Sequence, residues 1–348
     1  MSHRPDAELV GRWSAEIDQI YGDLIPRGTR VALVNFPNHA NAGDPALWLG
    51  ERAALDRIGT DVVYTASWAS YDADTLRRRL GEGTVLIHAG ANFGDLYPHR
   101  QATTRERLLA ELPDLRTIQL PQSIHFQDPA NRDRLRRLCE DHSDFTLLTR
   151  EPQSFAYAQE HFSVPSRLCP DPVFSLGMRD RAAEPRVDLL WLARTDPEAS
   201  GYALPPADGL TVESLDWLAP LADEPSWPLS DRVRLKLNSA LLPRFEAGSG
   251  LAKALWRPNA ATFEPLAERW VDRGCRILAR GRVVVTDRLH GHLLSLLQGI
   301  PHVVLDNSYG KLRSVYEEWT HQCSLAAWAE TPEEAVEAAR RLLAELET

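Results

Sequence analysis

The chain has 348 residues, of which 43% are hydrophobic and 25% charged, with 39 basic against 49 acidic side chains and a formal net charge of −10. This is the composition of a globular protein long enough for two domains, and it excludes disorder, collagen and a small disulfide scaffold. The acidic balance argues against a nucleic-acid partner, since affinity for a duplex rests on Lys and Arg neutralising phosphates, so any anionic ligand must meet a local basic pocket.

Short β-branched runs alternate with longer amphipathic stretches from residue 31 onward. VALVNF (31–36), DVVYTA (61–66) and TVLIHA (84–89) read as strands, each followed by a helical stretch, at 44–58, 72–80 and 102–112. RTIQL (116–120), a helix over 129–141, FTLLT (145–149) and a helix over 151–160 continue the order. Such strands are apolar throughout, as in a parallel sheet covered by helices on both faces, so residues 1–178 are predicted to form one Rossmann-like α/β domain. After the polar GMRDRAAEPR (177–186) the rhythm resumes with VDLLWLA (187–193), a helix over 262–280, VVVTD (283–287), a helix from about 290 and HVVLD (302–306). Residues 179–348 are therefore predicted to form a second α/β domain. Residues 196–260 are rich in Pro and carry Trp217, Trp227 and Trp256. They read as an insertion whose aromatic rings can stack on sugars or, in the plainer reading, pack the insertion onto the domain. Thr331-Pro332-Glu333-Glu334 is a capping box opening an amphipathic helix over 332–347. No apolar run reaches the roughly 20 residues of a membrane span, and the opening MSHRPDAELVGRW lacks the apolar core of a signal peptide, so a cytoplasmic protein is expected. Cys139, Cys169, Cys275 and Cys323 are widely spaced, with no zinc or disulfide pattern, and read as small core residues.

In doubly wound sheets ligands bind beyond the carboxyl ends of the strands, which directs attention to the loop after each one. In NFPNHANAGDPALW, Asn41 and Gly43 precede Asp44 as N-cap and Pro45 as the first helical residue. That helix start offers backbone N–H groups to an anion or hydroxyl, or is simply a well-capped helix. HAGANFGDLYPHR places Asn92 and Asp95 among glycines that admit a ligand, yet it is neither a P-loop nor GxGxxG. In LPQSIHF, Gln122, Ser123 and His125 follow a buried strand, and His125 reads as a packed residue. Arg150 at the end of FTLLT suits bidentate capture of a carboxylate or phosphate, or an ion pair with a neighbouring acid. The sharpest cluster is VVVTDRLHGH, where Asp287, Arg288 and His290 close the most apolar strand. There the arginine can bind an anion and the imidazole can exchange a proton near neutral pH, while His292 faces elsewhere as a structural residue. In LDNSYGKL, Gly310 turns the chain and Lys311 can set an ammonium against a phosphate. Asp72-Ala73-Asp74 matches the DxD of metal-dependent glycosyltransferases but reads as an N-cap and a first-turn acid, so no metal site is assigned.

Taken together, NHANAGDPALW, GANFGDLYP, LPQSIHF, the TRE of residues 149–151, CPDPVF, LARTDPE, TDRLHGH and DNSYGKL resemble, in this order, the polysaccharide pyruvyltransferase family. The resemblance covers most of the chain; the glycine run in the second loop is usually richer than His88-Ala89-Gly90 here. It implies a GT-B-like fold, two Rossmann-like domains facing across a cleft, and transfer of a pyruvyl group from phosphoenolpyruvate to sugar hydroxyls of a surface polysaccharide or its lipid-linked precursor. By motif position it implies Arg150, Arg288, His290 and Lys311 as the phosphoenolpyruvate set, and Asn41, Asp44, Asn92 and Asp95 on the acceptor side, with Gln122 and Ser123 also binding substrate. His290 is the expected general acid and Asp95 or Asp44 the expected base. No cofactor beyond the donor substrate is implied, and a lipid-linked acceptor would bring the protein to the inner membrane face peripherally. The competing expectation is a GT-B glycosyltransferase using a nucleotide sugar, because an Arg/Lys pair can also hold a diphosphate. A non-catalytic glycan-binding subunit is the remaining alternative, against which the joint presence of Arg150, Arg288, His290 and Lys311 argues.

Overall fold

Strands apolar on both faces need helices on both sides, and that requirement builds the whole molecule. The computed structural model describes residues 4–96, 100–196, 198–221, 226–237 and 256–347. The first sheet comprises β1 (Arg30–Phe36), β2 (Asp61–Ser67), β3 (Thr84–Ile87), β4 (Gly90–Gly94), β5 (Thr117–His125), β6 (Phe145–Thr149) and β7 (Ser166–Leu168). Its order is β2-β1-β3-β5-β6-β7, with β4 beside β5. The second comprises β8 (Val187–Leu192), β9 (Val212–Leu215), β10 (Gly281–Thr286), β11 (His302–Val304) and β12 (Ala326–Trp328), in the order β12-β11-β10-β8-β9. Every pairing among them is parallel. The expected α/β class with Rossmann-like parallel sheets is what the chain adopts.

The helices are α1 (Arg4–Leu24), α2 (Gly43–Ile58), α3 (Ala73–Leu80), α4 (Gln101–Glu111), α5 (Pro129–Glu140), α6 (Pro152–His161), α7 (Leu229–Lys236), α8 (Phe263–Leu278), α9 (Leu289–Leu297), α10 (Lys311–Val315) and α11 (Pro332–Glu345). Alternation along the strands sorts their side chains into separate cores. Ala32 and Val34 face α3 to α6, whereas Val31 and Leu33 face an inner layer of α1, α2, α8 and α9. Leu190, Leu192 and Val284 of the second sheet face that same inner layer, and Leu189, Trp191 and Val283 face α11. One apolar cluster, running from Val10 to Leu325, is thus shared by both sheets.

Several elements were not predicted. Helix α1 precedes β1, buries Val10, Trp13, Ile17 and Ile20, and accepts hydrogen bonds from Ser324 through Asp6. Strand β5 runs past its expected end through Gln122 and Ser123, because both side chains find buried partners, the His88 carbonyl and the Glu151 carboxylate. Strands β4, β7 and β9 have five, three and four residues, too short for a periodicity to show. Within the insertion, Trp256 stacks on Tyr64 at 5.1 Å and donates to the Thr65 carbonyl, and Trp227 packs on Trp270. Packing is therefore the role of these two rings; residues 222–225 and 238–255 of the insertion lie outside the described residues. Asp72 caps α3 through the Thr75 N–H, and Thr331 caps α11. The four cysteines are buried and unpaired, as core residues should be. Among the described residues no helix is long and apolar enough to cross a membrane.

Candidate active site

Each sheet reverses its strand order beside its first strand, at β1/β3 and at β8/β10, and such switch points open a crevice at the carboxyl ends. The two crevices meet in a single cavity of about 570 Å³. Asn38, His39, Asn41 and Asp44, which follow β1, line one wall together with Asn92 and Gln101. Arg194, Asp196 and Glu198 follow β8, and Arg288 and His290 follow β10; with Arg150 and Lys311 they form the other.

The second wall is a lattice of charge. Arg194 reaches Asp196 and Glu198 at 2.9 Å each, Lys311 bonds Glu198 and Tyr309, and Arg288 lies 2.8 Å from Asp216 and 3.2 Å from Asp196. Burial alone would raise the Glu198 carboxyl, but the charges of Lys311 and Arg194 hold it well below the usual range. Burial pulls the Lys311 ammonium down, and Glu198 offsets part of that loss. Arg150 is 1% exposed and fixed at 2.8 Å to Asp171, with Ser123 Oγ accepting from its Nε at 2.9 Å. Each guanidinium carries five N–H donors, so a carboxylate behind it fixes its orientation without exhausting its capacity for a ligand.

His290 stands where the two walls meet. Its Nε2 lies 3.5 Å from the Asp171 carboxylate, which also holds Arg150. Burial disfavours that carboxylate, but the hydrogen bond and charge of His290 and the charge of Arg150 keep it ionised, down to about 2. The imidazole Nδ1 lies against Gly43, the first residue of α2, so closely that an added Cβ there would approach it to 2.3 Å. On the first wall, Asp44 pairs with His39 at 2.9 Å. The hydrogen bond and charge of His39, with the charges of His290 and His88, overcome burial and hold Asp44 far below the ordinary carboxylate range.

A sequence profile described as polysaccharide pyruvyl transferase matches residues 41–309. The chain belongs to the polysaccharide pyruvyl transferase family. It is 34% identical to "Pyruvyl transferase 1" of Schizosaccharomyces pombe over 85% of this chain and 71% of that one. It is 31% identical to the protein EpsO of Bacillus subtilis over 85% of this chain and 87% of that one. A crystal structure of a functionally uncharacterized protein from Klebsiella pneumoniae superposes with a TM-score of 0.55 at 16% identity, covering 92% of this chain and 99% of that one, and speaks for the fold alone.

In this member of the family, Arg150, Arg288, His290, Lys311, Asn41, Asp44 and Asn92 all line the one cavity. Three expected site residues do not. The Asp95 carboxylate is turned to the start of α5, accepting from the Gln127 and Asp128 N–H groups and from Asn131, and so caps a loop. Gln122 bonds the His88 carbonyl and the Asn92 N–H inside the sheet. Ser123 lies behind the site, between Arg150 and Glu151. His292 is structural as expected, in a buried chain from Thr320 through His292 and His302 to the Ile300 carbonyl. His39, Asp171, Arg194, Glu198 and Asp216 were not singled out from sequence. Only NHANAGD, CPDPVF and LARTDPE, each next to a strand end or turn, pointed toward the first four.

Proposed function

We propose that this chain transfers the pyruvyl group of phosphoenolpyruvate to two hydroxyls of one sugar in a surface polysaccharide or its lipid-linked precursor, forming a ketal and releasing phosphate. The observation that carries this reading is the convergence of Arg150, Arg288 and Lys311 with His290 at the junction of two switch points. A small ligand with both a carboxylate and a phosphate needs several fixed cations and one proton donor beside them. The two sheets with the cavity between them are also what a GT-B-like arrangement requires.

In the proposed reaction His290, 3.5 Å from the Asp171 carboxylate, gives a proton to the methylene carbon, and cationic character develops at the adjacent carbon. Arg150, Arg288 and Lys311 hold the carboxylate and phosphate while this occurs. One sugar hydroxyl attacks that carbon and loses its proton; phosphate leaves with the C–O electron pair; the second hydroxyl then attacks and closes the ketal. Two hydroxyl protons are released, one replacing that given to the methyl group and one leaving on phosphate. The His39–Asp44 pair, 2.9 Å apart on the facing wall, receives the hydroxyl proton.

Thermal denaturation tests the donor. Phosphoenolpyruvate at about 100 times its dissociation constant should add roughly 2.7 kcal/mol of stability, and Arg288→Gln combined with Lys311→Gln should remove that gain. Protection by a UDP-sugar but not by phosphoenolpyruvate would make the chain a glycosyltransferase and sink this reading.

A further inference from the structure

The wall facing the charged lattice has a different chemistry. It presents the amides of Asn38, Asn41, Asn92 and Gln101, and two of these are fixed from behind. Gln101 accepts from Asn92 Nδ2 at 3.2 Å, Asn92 Oδ1 accepts from buried Arg105, and Asn35 Nδ2 donates to the Gln101 carbonyl at 3.0 Å. Prearranged amides of this kind suit sugar hydroxyls, each of which donates and accepts.

At the edge of this wall lies Arg100, whose guanidinium sits 4.4 Å from the centre of the Trp68 ring. Both residues line the cavity. Its other arginines and its lysine are each held by a carboxylate, whereas Arg100 has no carboxylate partner among the described residues. Its backbone has φ of 59°, and Asn35, beneath the same wall, has φ of 78°. These are the two non-glycine residues with positive φ among the described residues, and backbone strain of this kind gathers where a site must be held in shape. A guanidinium packed over an indole face keeps N–H donors for a planar or tetrahedral anion.

We infer that this wall selects an acceptor sugar bearing an anionic group, a carboxylate or a phosphate, which Arg100 binds while the amides hold the ring hydroxyls. The inference rests on the pyruvyl-transfer reading for the word acceptor, but the subsite itself can be tested without the donor. Trp68 is a positioning residue here, since it packs against the guanidinium and holds it at the edge of the wall.

The test is NMR-detected titration of the protein with methyl β-glucoside, methyl β-glucuronide and glucose 1-phosphate. A charge-assisted contact should make an anionic probe bind about tenfold or more tightly than the neutral glucoside. Arg100→Gln should bring anionic and neutral probes to within about twofold by weakening only the anionic ones, and Trp68→Leu should remove most of the preference although the charge remains. Preference for the glucuronide alone supports the inference and assigns a uronate acceptor; preference for glucose 1-phosphate alone supports it and assigns a phosphate-linked one. Equal binding of all three probes to the unmodified protein, or a preference that survives Arg100→Gln, would overturn it. Failure of phosphoenolpyruvate to protect the protein would sink the transfer reading while leaving this titration to decide the subsite on its own.

Discussion

The two sheets share one strand order and one use of it, yet the loops at their switch points differ in kind. After β1 and within β4 the chain places asparagines and a histidine-carboxylate pair; after β8 and β10 it places arginines locked to carboxylates. The same backbone topology therefore supplies a crevice twice without dictating what fills it. His290 and His292 make the point at close range. One lines the cavity, and the other, two residues along the same helix, is sealed in a neutral chain with His302 and Thr320.

That contrast can be broken or sharpened by experiment. The largest effect belongs to His290→Ala, which should lower kcat by about 10² to 10⁴ while changing phosphoenolpyruvate affinity about threefold or less. Equal losses in kcat and affinity would make His290 a binding group and leave the charged wall without an acid. Gly43→Ala comes next, because the first wall touches the second there. Its methyl group must displace the His290 ring, so kcat should fall by about tenfold, with the midpoint of thermal unfolding nearly unchanged. An unaltered kcat would mean that the imidazole yields freely and that the two walls are not coupled at this contact.

The smallest effect is on stability and concerns the sealed histidines. Burial lowers the His302 pKa to about 4 and pushes His292 down as well, whereas an unfolded histidine titrates near about 6.5. Above pH 6.5 neither state carries the proton. As the pH falls from there toward 4 only the unfolded chain binds it, so stability should drop by about 1.4 kcal/mol per pH unit for each such histidine. Asp287 works in the opposite direction, since burial, against the pull of Arg194, raises its pKa to about 6 and the folded state takes its proton first. His302→Gln should thus reduce the stability lost between pH 6.5 and 4.5, measured by urea unfolding, by about 2 kcal/mol. A variant with the same loss as the unmodified protein would place the proton uptake elsewhere.

Much of this architecture is legible in the sequence because parallel strands announce themselves as unbroken apolar runs, and the loops after them are then the places to search. Arg150, Arg288, His290 and Lys311, which line the cavity, stand in or directly after those loops. What stayed hidden has physical causes. Gln122 and Ser123 are polar in a buried strand because their partners, the His88 carbonyl and Glu151, come from other strands and turns. Helix α1 has its apolar residues at helical spacing, but the sheet that covers them starts only at residue 30. The carboxylates that orient the cations are distant in sequence, 113 residues separating Lys311 from Glu198 and 72 separating Arg288 from Asp216, so no local spacing reveals them. Asp95 is ambiguous for the complementary reason: an acid beside glycines suits a base and a loop cap equally, and the approach of α5 turns its carboxylate to the Gln127 and Asp128 N–H groups.

The inner layer of helices has a consequence for how the protein comes apart. Because α1, α2, α8 and α9 bury side chains from both sheets in one cluster, neither half has a complete apolar interior of its own. Cutting the backbone between residues 178 and 179 would give two fragments, each with an open oily face, that are soluble only as a reassociated pair. Heating the intact chain should melt both sheets in one calorimetric transition, because the loss of either strips solvent protection from the other. Two separate transitions would show that the shared layer is a contact between independent bodies.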